Sequence, residues 1–186
     1  MERKRVSSSK IRSIGYDPKS QLLEIEFNDG KVLAYSGVVS VLILVFPDAF
    51  GEARLVLIER ATHDGHHSGE VSLPGGKAEP DDADASATAL REAAEEVALD
   101  PVAAGVRVVG HLEPFWIPVS DFQVTPVVAI AERTPILAPD PREVARILLP
   151  PVRTFLPDAP VEVVERTVRA WPLRFGAYTV DGLVVW

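Results

Sequence analysis

The sequence contains no cysteine. That excludes disulfides and thiol chemistry and fits a cytoplasmic protein. No apolar run approaches the ~20 residues that a membrane-spanning helix needs, so no membrane partner is expected. The start, MERKRVSSSK, has no apolar segment behind it and does not read as a secretory signal. An excess of basic charge is also missing. The formal net charge is −8, which argues against broad nucleic-acid binding. An anionic ligand would then need a metal ion or a few local basic groups. What is there, 186 residues at 47% hydrophobic and 25% charged, is enough for one full core with a small appendage.

The informative stretch is residues 69–99, GEVSLPGGKAEPDDADASATALREAAEEVAL. Gly75-Gly76 closes an apolar run, an acidic loop follows, and an Ala-rich helix begins. On a 3.6-residue period Glu92, Glu95 and Glu96 share one face. Ala87, Leu90, Ala94 and Val97 fall on the other and are expected to pack on the core. Like charges so close repel, which makes sense if a cation sits among them. Clustered hard oxygen ligands suit Mg²⁺ or Mn²⁺, with substrate phosphates completing the shell. The plainer reading is a solvated acidic helix face.

The preceding loop favours the metal reading. Gly76, Arg91, Glu92, Glu95, Glu96 and Leu99 resemble the Nudix box, Gly-x5-Glu-x7-Arg-Glu-U-x-Glu-Glu-x-Gly-U, where U is bulky and aliphatic. The spacer to Arg91 is one residue longer than the general pattern. Asp82, or less naturally Glu79, stands where the early Glu belongs, and Ala98 replaces the last Gly. The resemblance implies an α/β Nudix fold, an α/β/α sandwich around a mixed sheet. It implies Mg²⁺-dependent water attack on a nucleoside diphosphate linked to a second moiety. Glu92, Glu95, Glu96 and the Gly76 carbonyl would hold metal. Arg91 would orient a Glu by a bidentate ion pair. Glu92 and Glu95 both satisfy the role of base.

Upstream, Leu57, Arg60, Gly69, Val71 and Leu73-Pro74-Gly75-Gly76 resemble the coenzyme A pyrophosphatase branch of that family, which shares the longer spacer. Ala61 and Gly65 depart from it, Gly65 standing where a substrate-binding Arg is usual. CoA or a CoA derivative is the expected substrate. ADP-ribose or a nucleoside triphosphate is the alternative, and a catalytically silent binding module is a third reading. Arg60 and Lys77 are candidate phosphate contacts. Phe115 and Trp116 either stack on an adenine ring or pack as core and rim; Phe115 is taken as the candidate. His63, His66 and His67 lack metal-site spacing and are read as lining the entrance or merely solvated.

Residues 1–37 read as a separate three-stranded β-meander, with a hairpin turn at Asn28-Asp29-Gly30. The run from Val6 to Val38 resembles the first part of a KTSC domain, a module with a suggested RNA-binding role. A small sheet that docks on the main domain or mediates self-association is the favoured reading. Residues 38–186 are expected to form the hydrolase domain. Val38–Phe46 reads as a strand buried on both faces, and Ala53–Arg60 as the next. Further strands are expected over 106–112, 122–131, 161–168 and 177–186. Asp140-Pro141 reads as a helix start, with Glu143 a capping-box residue or a further ligand or base. The branch's closing helix is not seen before Trp186. Apolar surface would then be exposed, and a homodimer or poor solubility would follow.

Overall fold

The computed structural model describes residues 3–5, 7–17, 22–36, 38–62, 69–117, 122–168 and 171–186. The loop histidines 63, 66 and 67, and Gly65, lie outside the described residues.

The first sheet is antiparallel in chain order: β1 (Arg3–Arg5), β2 (Ile11–Asp17), β3 (Leu22–Phe27) and β4 (Val32–Ser36). It contains the expected meander, and the basic start of the chain adds a short edge strand beside β2. The β3–β4 turn uses Gly30 at φ +84, with Asp29 Oδ1 accepting from the Lys31 amide at 3.0 Å.

The central sheet is built on β5 (Val38–Pro47). Ser40, Leu42, Leu44 and Phe46 are buried, the odd-numbered residues between and after them are half-buried, and Val38 at the start is exposed. The continuous apolar run therefore has one strongly buried face, not two. The expected strand over 53–60 is broken at buried Val56. β6 (Ala53–Leu55) pairs with β5, whereas β7 (Leu57–Arg60) pairs with β8 (Val71–Ser72) in a second sheet. β9 (Gly75–Lys77) returns to β5.

α1 (Ala85–Val97) starts at Asp84, whose side chain accepts from the Ala87 amide at 2.9 Å. It ends at Ala98 in the left-handed region, φ 53. One turn of helix, α2 (Pro101–Ala104), leads into β10 (Val106–His111). The expected aromatic loop carries a short strand, β11 (Phe115–Ile117), before β12 (Phe122–Ala131). The order is β10-β12-β5-β6, with β11 beside β12 and β9 beside β5. β5 and β12 run parallel and their other partners antiparallel, so the sheet is mixed. Ala89, Ala93 and Val97 of α1 pack on Leu42, Leu44, Val127 and Ala129.

No helix starts at Asp140. Its carboxylate accepts from the Arg142 amide at 3.0 Å in an Asx turn, and the chain enters β13 (Val144–Leu148) against β7. Pairing with β7 wins over the local cap signal. A 3-10 turn over Val152–Phe155 precedes β14 (Glu162–Val168), β15 (Trp171–Val180) and β16 (Leu183–Val185). Residues 177–186 are thus the end of one strand and a hairpin turned at Asp181-Gly182. No described helix is long and apolar enough to cross a membrane.

Candidate active site

α1 is turned so that Ala89, Ala93, Glu96 and Val97 face the sheet. Ala94, expected in the core, is exposed. The three carboxylates therefore occupy different environments. Glu95 is 61% exposed, Glu92 is mostly covered at 15%, and Glu96 is 1% exposed.

Glu96 does not lie bare in the core. One oxygen accepts the Gly75 amide at 2.8 Å, and the other lies 3.4 Å from Arg60 Nη1. Burial nonetheless dominates and pushes its carboxyl up to about 7. The Gly75 amide and Arg60 oppose that rise, while Glu92 and Glu143 add to it. Burial also raises Glu92, against the pull of Arg91 and with help from Glu95 and Glu143.

Arg91 forms its bidentate pair with Asp82, not with a glutamate: Nε–Oδ1 is 3.1 Å and Nη2–Oδ2 is 3.0 Å. Its Nη1 is left to span Glu92 at 3.1 Å and Glu95 at 3.4 Å. Nη2 also donates to the Lys77 carbonyl at 2.9 Å. Asp82 accepts further hydrogen bonds from Thr88 Oγ1 and the Glu79 amide, both at 2.8 Å. The Arg91 side chain leads the causes that hold its carboxyl well below the usual range. The long spacer is thereby tied back onto α1. Only the replacement of the early Glu by Asp82 hinted at this anchor in the sequence.

Gly76 faces the helix. A Cβ there would lie 2.4 Å from Glu92 Cδ, so only glycine leaves room for the carboxylate. Gly75, at φ +153, lies against β5, and a Cβ would meet the Ser40 carbonyl at 2.3 Å. Ser40 Oγ and Ser72 Oγ are buried without a hydrogen-bond partner in the structure.

Lys77 places Nζ 5.2 Å from the centre of the Phe122 ring. Phe115 is half-exposed on β11. Glu143 is exposed in the turn before β13, near enough to raise both Glu92 and Glu96. Among the described residues, no three His, Asp or Glu groups converge as they stand. The donor set still fits a hard divalent cation: Glu92 and Glu95 are carboxylates, and the missing Cβ of Gly76 lets the Glu92 carboxylate lie directly against the Gly76 backbone.

Comparison with known proteins shows the family. The NUDIX domain family matches residues 37–171, and the KTSC domain matches residues 7–41. Nudix hydrolase 15, mitochondrial, of Arabidopsis thaliana is 45% identical over 123 residues, 64% of this chain and 41% of the relative. Nudix hydrolase 22, chloroplastic, from the same plant is 37% identical over 161 residues, 78% of this chain and 52% of the relative. The chain thus spans about half the length of these relatives or less. A solved Nudix hydrolase from M. smegmatis, RenU, superimposes with a TM-score of 0.54 at 21% identity, over 71% of this chain and 81% of that one. The mixed sheet, the carboxylate-bearing helix and the glycine pair define a Nudix domain. The chain belongs to the Nudix family, whose members generally use divalent metal ions, and a KTSC-like segment precedes that domain.

Proposed function

We propose that this protein hydrolyses the pyrophosphate bond of a nucleoside diphosphate linked to a second group, with CoA or a CoA derivative as substrate. One observation carries the reading: Arg91, locked by Asp82, spans Glu92 and Glu95, with the Glu92 carboxylate seated against Gly76. Glu92, Glu95, Glu96 and the Gly76 carbonyl would hold Mg²⁺ or Mn²⁺. When bound, the metal neutralises charge building on the phosphoryl and leaving oxygens. Water adds to one phosphorus as the P–O–P bridge breaks, giving 3′,5′-ADP and the phosphopantetheine half from CoA. Glu92 or Glu95 takes the water's proton, and each needs an oxygen free of metal to do so. Arg60, 3.4 Å from Glu96, would be a phosphate contact.

The choice of CoA is supported by the residues from Leu57 to Gly76 and by the longer spacer, which Asp82 and Arg91 close. ADP-ribose, NADH and a nucleoside triphosphate are the competing substrates. A Mg²⁺ assay over CoA and these three, with Glu95→Gln beside the wild type, tests the reading. Release of 3′,5′-ADP from CoA, lost in the variant, is the expected result. Turnover of another substrate alone overturns the choice of CoA. No turnover of any of the four overturns the hydrolase reading.

A further inference from the structure

We propose that Trp116, flanked by Gln123, is the platform on which the substrate's base stacks, and that Phe115 is not. This rests on the nucleotide hydrolase reading above and assigns its base subsite. The argument is one of strand register. Residues directly opposite in a sheet put their side chains on the same face, and neighbours along a strand alternate.

Gly76 lies opposite Ser40, and Ser40 lies opposite Thr125. The Cβ direction of Gly76 runs into Glu92, so this row faces the carboxylates. Two residues along β12 from Thr125 is Gln123, on the same face. Gln123 lies opposite Val38 on one side and Trp116 on the other. All three are exposed, with Trp116 at 46%. They form an open shelf one row beyond Glu92, on its own face of the sheet.

The alternate row runs Lys77, Val39, Val124, Phe115. It faces the other way. A second observation supports this: Lys77 Nζ lies over the ring of Phe122, two residues from Val124 on that same face. Phe115 and Lys77 therefore share the side away from the carboxylates. An indole offers a flat, sequence-tolerant stacking surface for a base, and Gln123 adds a donor and an acceptor at its edge.

The full chain is titrated with ADP while tryptophan emission is followed, and kcat and KM are measured on the substrate found above. Expected is a saturable change in emission that Trp116→Phe reduces, with Trp171 and Trp186 as the remaining emitters. Trp116→Ala should raise KM about ten-fold or more with kcat within about two-fold, since stacking adds binding rather than chemistry. Phe115→Ala should change neither. The proposal is overturned if ADP leaves wild-type emission unchanged, if Trp116→Ala keeps the wild-type KM, or if Phe115→Ala carries the loss. Saturable ADP quenching through Trp116 without turnover of any nucleotide sinks the hydrolase reading and keeps the platform. Turnover with an unaltered KM in Trp116→Ala does the reverse.

Discussion

Arg91 and Asp82 are joined by two parallel hydrogen bonds across the turn that precedes α1. Such a fork fixes the guanidinium plane as well as its distance. With two nitrogens committed to Asp82, Nη1 has one place to be, between Glu92 and Glu95. Asp82 thereby acts on the carboxylates at second hand. Thr88 and the Glu79 amide hold Asp82 in turn.

Asp82→Ala should therefore lower kcat about 10- to 100-fold with a small effect on KM, because it frees Arg91 without touching the pocket. Asp82→Asn, which keeps the Thr88 contact but not the fork charge, should fall between. The stability sign also follows. A carboxyl whose folded pKa is depressed adds stability above its unfolded value, and that stability is lost as pH falls below about 4. The acid-unfolding midpoint of Asp82→Asn should lie at higher pH than that of the wild type, by circular dichroism. Equal midpoints would show that the fork adds no folding free energy.

Gly76→Ala tests the close approach to Glu92. The backbone at 76 is not in the left-handed region, so alanine introduces no backbone strain there. Its methyl would meet the Glu92 carboxylate, the free end of a side chain that can swing away. The variant should fold with a Tm near the wild type and lose Mg²⁺ affinity and kcat together. Gly75→Ala behaves differently, since its methyl meets backbone at an unfavourable φ. It should lower Tm by several degrees. Thermal melts of the two, side by side with Mg²⁺ titrations, separate a crowded site from a crowded fold.

The sequence made α1 and its three glutamates legible, because a helical period and a long motif act over a few turns. It misjudged how the helix faces the sheet. Hydrophobic pattern treats Glu96 as surface and Ala94 as core, yet Glu96 goes inside because Gly75 and Arg60, distant in sequence, are there to meet it. The break at Val56 carries no glycine or proline, and arises because β6 and β7 have partners in different sheets. Asp140-Pro141 has the chemistry of a helix start, but β7 needed a strand partner. Which of Phe115 and Trp116 faces the carboxylates depends on registers across four strands, and no local signal encodes that.

Glu96 predicts an opposite pH dependence to Asp82. Its folded pKa, about 7, lies above the ordinary glutamate value. Between the two the native state binds more protons than the unfolded chain, so this contribution is full at low pH and is lost as pH rises toward 7. Glu96→Gln keeps an acceptor for the Gly75 amide and never charges. In EDTA the variant and wild type should have similar Tm near pH 5, and the variant should be the more stable near pH 8. Added Mg²⁺ should narrow the gap if Glu96 belongs to the metal-binding set. A gap that does not change with pH would show that Glu96 stays ionised throughout.

Ala98 closes α1 in a conformation that suits glycine, at the position where the Nudix box has one. The Ala98 amide donates to the Ala93 carbonyl, so the left-handed geometry is part of how the helix stops. An alanine there costs about 1 kcal/mol against glycine, from the contact between its Cβ and the backbone. Ala98 is exposed, so burial of its methyl does little to offset the cost. Ala98→Gly should then raise stability by about 1 kcal/mol, less the extra freedom that glycine brings to the unfolded chain. For a chain of this size that is roughly 2–4 °C in Tm. Urea unfolding should show a higher midpoint with an unchanged slope. A lower midpoint would mean that the unfolded-state entropy of glycine outweighs the relieved strain, and that the chain tolerates alanine here at no net cost.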